Sequence, residues 1–117
     1  MSDTPRGTSC EGWWQQHGLG RQPMLDLHME FDGGQISGSG RDIVGPFKFS
    51  GTINAQGRVA MVKDYLGQHD VEYLGTYDGE GLMWGEWHIG ALKDRWMIKL
   101  RGARSSTTRQ ADVAEIV

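Results

Sequence analysis

Through most of the chain apolar and polar residues alternate with a period of two, in short runs broken by glycine or Asp-Gly. That period belongs to half-buried β-strands, whereas a helix would repeat every three to four residues. Eight strands are predicted, at roughly 12–18, 23–32, 34–41, 44–53, 57–66, 69–78, 81–89 and 94–101. The joints suit tight turns: Asp32-Gly33-Gly34 and Asp78-Gly79-Glu80-Gly81 supply residues that tolerate positive φ, and Asn54-Ala55-Gln56-Gly57 ends on glycine. Leu66-Gly67-Gln68 makes a further tight joint.

The phase of each strand follows from the alternation. Leu25, Leu27, Met29 and Phe31 are expected on one face, with Met24, Asp26, His28 and Glu30 on the other. Ile36, then Phe47, Phe49 and Ile53, continue the apolar face, as do Val59, Met61, Lys63 and Tyr65 on the fifth strand. Val71, Tyr73 and Tyr77, then Met83, Trp87 and Ile89, then Trp96, Ile98 and Leu100 complete it. One dry face and one wet face per strand is the habit of an antiparallel sheet. Eight such strands with no helix to cover them would leave the dry face in water. The expected fold is therefore an all-β, eight-stranded antiparallel up-and-down barrel, with a two-sheet sandwich as the competing architecture.

Length and composition fit one domain: 117 residues, 38% hydrophobic and 23% charged. The 18 glycines are about twice the usual share and follow no collagen-like period, which argues for many turns and close strand approaches. Residues 1–11 are expected to form a flexible arm, 12–102 the barrel, and 103–117 a poorly ordered tail. A net charge of −3 with scattered basic residues gives no footprint for nucleic acid, and no run is apolar enough for a membrane span. The polar N-terminus lacks a secretory core segment, so a cytoplasmic location is expected. Cys10 is the single cysteine, which excludes an internal disulfide.

The chemistry concentrates on one inward lysine. Lys63 shares its phase with Met61 and Tyr65, and an unpaired buried ammonium costs several kcal/mol. Asp42 continues the inward phase of Ile36, Gly38 and Gly40, so an internal Asp42–Lys63 pair with Tyr65 and Tyr73 completing the hydrogen bonds is expected. Two roles stand open: a structural ion pair, or a polar floor for a ligand with Trp87 and Trp96 as apolar wall. Gly38, Gly40, Gly45, Gly51, Gly75 and Gly85 are expected inward, either to seat large rings or to leave a cavity. His69 sits at a strand start, facing the mouth or capping a loop. The histidine spacings offer no metal site, no nucleophile motif is present, and no cofactor is implied. One of Trp13 and Trp14 must point outward and Trp84 does so too, which suggests a covered patch and makes a homo-oligomer a candidate assembly.

The order Gly38-Ser39-Gly40-x-Asp42-x-x-Gly45-x-Phe47-x-x-x-Gly51, then Lys63-x-Tyr65-x-Gly67-x-His69-x-Val71-x-Tyr73-x-Gly75, then Gly85-x-Trp87 resembles a known barrel. It is similar to the calycin-type barrel of the cyclin-D-binding domain in an F-box ubiquitin-ligase receptor and of related small bacterial proteins. The resemblance covers about residues 24–98. It implies an architecture like that of avidins and lipocalins, whose barrels bind small molecules, and in the F-box relative a receptor for protein C-terminal tails. This chain has no F-box segment, so ligase recruitment does not carry over. The reading taken from sequence is a non-enzymatic binding module for a small apolar or carboxylate-bearing ligand, or for a peptide C-terminus. Asp42, Lys63, Tyr65, His69, Tyr73 and Trp87 are its expected site. A filled structural or oligomerisation barrel is the alternative, and a barrel enzyme using His69 and Tyr73 the third reading.

Overall fold

The computed structural model describes residues 6–101; the expected tail at 103–117 and the first five residues of the expected arm lie outside them. The eight strands are β1 (Arg6–Gln16), β2 (Gly20–Asp32), β3 (Gln35–Arg41), β4 (Pro46–Ile53), β5 (Arg58–Tyr65), β6 (Asp70–Tyr77), β7 (Leu82–Ile89) and β8 (Leu92–Leu100). Each pairs antiparallel with the next, and β1 pairs with β8 to close an up-and-down barrel. Closure leaves no free sheet edge and gathers every apolar face into one core.

Turn chemistry explains several joints. The side-chain oxygen of Asn54 accepts the N–H groups of Gln56 and Arg58, and that of Asp78 accepts those of Glu80 and Leu82. At Gly75 and Gly85, which face each other across β6 and β7, the two backbones come so close that side chains are excluded. A Cβ on Gly75 would overlap the Trp84 carbonyl oxygen and come within 2.8 Å of Cζ2 of Trp96. The Trp96 ring fills this space, and its Nε1 donates to the carbonyls of Leu74 (3.2 Å) and Glu86 (3.1 Å). The inward glycine pair therefore seats a ring.

Three sequence expectations change. β1 starts at Arg6, so residues 6–11 belong to the barrel wall, not to a flexible arm. Small polar residues Thr8 and Ser9 carry no alternation signal, yet this half of β1 pairs with Met29 and His28 of β2. In β2 the phase flips: Met24 is buried and Leu25 is exposed, the reverse of the expectation. The cause is a β-bulge. Leu25 and Asp26 together oppose the single residue Glu11 between the Gly12–Met24 and Cys10–Leu27 pairs, and Asp26 adopts a φ of 52°. Gly45, expected inward on a strand, instead lies in the turn before β4 with a φ of 145°.

Up-and-down topology gives the barrel two unlike mouths. The turns after β1, β3, β5 and β7 form the distal mouth. The turns after β2, β4 and β6 form the proximal one, where β1 begins and β8 ends.

Candidate functional site

Just below the distal mouth the barrel holds a buried polar cluster centred on Asp42. The chain leaves β3 at Arg41 and turns back at once, closed by reciprocal backbone bonds between Asp42 and Gly45 of 3.1 and 3.0 Å. The Val44 N–H donates to Oδ1 of Asp42 (2.9 Å), which fixes the carboxylate with Oδ2 toward the interior. That oxygen accepts from Lys63 Nζ (2.7 Å), the Tyr65 hydroxyl (2.7 Å) and Trp14 Nε1 (3.0 Å). Lys63 Nζ also donates to the Tyr73 hydroxyl at 3.2 Å. Period-two alternation along β5 delivers Lys63 and Tyr65 to this point, and β6 delivers Tyr73.

The ammonium sits among rings. The centroids of Phe47, Tyr65, Tyr73, Trp14 and Phe49 lie 4.3, 4.7, 5.3, 5.5 and 5.9 Å from Nζ, within the range where an aromatic quadrupole attracts a cation. The side chains of Lys63 and Asp42 are only 1% and 0% exposed. Burial pushes the lysine down to about 8, with Asp42 opposing the shift. Burial also pushes the Asp42 carboxyl up, but the Lys63 hydrogen bond and charge, with the Tyr65 and Val44 donors, outweigh it and hold the carboxyl below its usual 3.8. Tyr65 and Tyr73 are both raised, by burial first; Asp42 adds to the shift through its hydrogen bond and then its charge at Tyr65, and through its charge at Tyr73. The cluster is thus a tightly bonded ion pair, satisfied from within.

The expected site residues divide by position. Asp42, Lys63, Tyr65 and Tyr73 meet in the cluster, as the alternation required. Trp87 is one step removed: its ring stands edge-on to Trp14 at 6.2 Å and its Nε1 donates to the Gln15 carbonyl. His69 is exposed on the turn after β5, with its ring 5.2 Å from that of Tyr65, whose hydroxyl is given to Asp42. Trp14 is the ligand of Asp42 that sequence reasoning left unassigned, because the doublet Trp13-Trp14 has no internal phase. Trp13 faces outward under Arg21, 3.8 Å from its ring.

The mouth above this cluster carries a feature that alternation does not reveal. The four most exposed large apolar residues described are Ile43 (66%), Leu92 (56%), Leu19 (47%) and Leu66 (44%). They belong to the four distal turns, one to each, Leu92 being the first residue of β8. The proximal turns Gly33-Gly34, Asn54–Gly57 and Asp78–Gly81 carry no large apolar residue. The signal was present in sequence as aliphatic residues within two positions of Gly18, Gly45, Gly67 and Gly90, but only topology brings them to one end.

A groove of about 560 Å³ runs along the outer wall of β5–β7, and another of about 300 Å³ lies at the proximal turns. Neither lies inside the barrel. Among the described residues no group of three or more His, Cys, Asp or Glu side chains could hold a metal ion, and no helix is long and apolar enough to cross a membrane. Compared with protein families, curated proteins and solved structures, the chain finds no match in any of the three.

Proposed function

We propose that this chain is a non-enzymatic binding module that receives an apolar peptide end at its distal mouth. The observation that carries the reading is the one-per-turn placement of Leu19, Ile43, Leu66 and Leu92 on a single rim. Exposed aliphatic groups gathered at one end, with the other end polar, mark an interaction surface. Loops on a rigid scaffold are the usual place for recognition. The buried cluster then acts as a floor: Asp42 anchors the turn bearing Ile43, and Lys63, Tyr65, Tyr73 and Trp87 hold Asp42 and its neighbours in place from below. His69 stands on the same rim as the polar contact. A ligand seated inside the barrel would have to displace Trp14, Tyr65 or the Asp42–Lys63 pair, so the mouth is favoured over the interior. The resemblance to a receptor for C-terminal tails points the same way.

A panel of fluorescein-labelled peptides ending in aliphatic residues, each as free acid and as amide, tests this by fluorescence anisotropy. Binding by the wild type that disappears in Ile43→Asp/Leu92→Asp, with an unchanged thermal melt, is the expected result. Preference for the free acid over the amide would identify the terminal carboxylate as part of the recognised group. Amide shifts in a heteronuclear NMR titration should cluster on the four distal turns. Peptide-induced shifts centred on the proximal turns, or affinity indifferent to the double substitution, would sink the proposal.

A further inference from the structure

Three more of the exposed large apolar residues, Val62 (41%), Leu74 (39%) and Trp84 (43%), lie on the outer wall of β5, β6 and β7. The strand register fixes their relation. Val62 pairs with Glu72, which pairs with His88; Ala60 pairs with Leu74, which pairs with Glu86; Arg58 pairs with Thr76, which pairs with Trp84. Each apolar residue therefore sits one row further along than the last, and the three form a diagonal stripe across three strands. On one side of the stripe lie Arg58, Ala60 and Thr76. On the other lie Glu72, Glu86 and His88.

We propose that this wall joins two copies of the chain about a two-fold axis lying along the Val62–Leu74–Trp84 stripe. Such a rotation lays the stripe on its own copy and exchanges the two flanks, so Arg58 of each copy faces Glu86 of the other. That is the self-complementarity an isologous interface requires. A partner of different kind would need no such match between the two flanks. Among the described residues Arg58 makes no ion pair, and Glu86 has only His88, 3.6 Å away. Arg58, Leu74 and Glu86 line the same groove of about 560 Å³, thinned at Gly75 and Gly85, which gives the apposed side chains room. The closed barrel has no free edge, so pairing of strands between copies is not open to it and the outer wall must join through side chains.

Sedimentation equilibrium of the full chain tests the proposal. The wild type should run at twice its chain mass of 13.0 kDa, and Leu74→Glu, which sets like charges on the axis, should run as a monomer with an unchanged circular dichroism spectrum. Arg58→Glu and Glu86→Arg should each be monomeric alone and form a dimer when mixed, because only the mixed pair opposes unlike charges at both contacts. Ile43→Asp/Leu92→Asp, at the distal mouth, should leave the mass unaltered. A wild type that stays monomeric at every attainable concentration would overturn the proposal. So would a dimer that survives Leu74→Glu, or two charge variants that remain monomeric on mixing.

Discussion

Asp42 accepts four hydrogen bonds inside the barrel, and three of them converge on one oxygen. Removing Lys63 therefore does not empty the site; it leaves a buried carboxylate with neutral donors only. Breaking a buried pair from one side costs about 3–5 kcal/mol, because the remaining charge stays desolvated. Lys63→Met should lower the urea-unfolding free energy by about that amount at neutral pH. Without the ammonium, burial dominates and the Asp42 carboxyl titrates upward, so the deficit should shrink as pH falls and the acid neutralises itself. A deficit that grows toward acid pH would contradict this account. Tyr65→Phe removes one of the three donors to Oδ2 and leaves the ion pair intact, so its cost should stay within about 1–3 kcal/mol.

Among the elements, the pairing of β6 with β7 is the least tolerant. The Cβ of Gly75→Ala would strike the Trp84 carbonyl, and that of Gly85→Ala the Leu74 carbonyl. Backbone cannot step aside as a side-chain tip can, so each alanine must force the strands apart and loosen the Trp96 ring. Each should cost about 1–3 kcal/mol or more, read as a drop in Tm together with weaker protection of the Leu74 and Glu86 region in hydrogen exchange. Unchanged stability in either variant would show that the strands have room the geometry denies them. The strands from β3 onward were legible in sequence because alternation, turn residues and inward rings agree, and the same alternation aimed Lys63 at Asp42. The first two strands were less so. One extra residue at the Asp26 bulge inverts the phase of Met24 and Leu25, and no local pattern announces it. Thr8 and Ser9 gain their strand from partners in β2. The distal rim was invisible for another reason: Leu19, Ile43, Leu66 and Leu92 are distant in sequence, and only the alternation of strand direction carries them to one end.

For the molecule as a whole, the buried cluster makes stability depend on pH at both ends of the scale. The acid limb follows from Asp42, whose folded carboxyl titrates below its usual 3.8. Its contribution is complete above that value and is lost as pH falls through the lower folded one, because the unfolded chain takes up the proton first. The alkaline limb has three parts. Lys63 titrates near 8 in the fold and at 10.5 when free, so between these values the unfolded chain holds more protons. Its term therefore raises stability as pH rises through that window. Cys10 opposes it from about 9 upward, since burial holds the folded thiol protonated to about 12 against a usual 9.0. Tyr65 and Tyr73, both raised above their usual 10.0, oppose it further above that value. Between pH 8 and 9 the lysine stands alone among these groups. Wild-type stability relative to Lys63→Met should therefore increase across that interval, measured by urea unfolding at closely spaced pH. Cys10 is common to both chains and cancels in that difference; replacing it with alanine should instead carry the rise in absolute stability of the Lys63-containing chain closer to pH 10, where the tyrosines turn it over. A wild-type advantage that instead declines from pH 8 to 9 would mean that Lys63 keeps its proton more tightly in the fold than in water, and that Asp42 outweighs the desolvation of the ammonium.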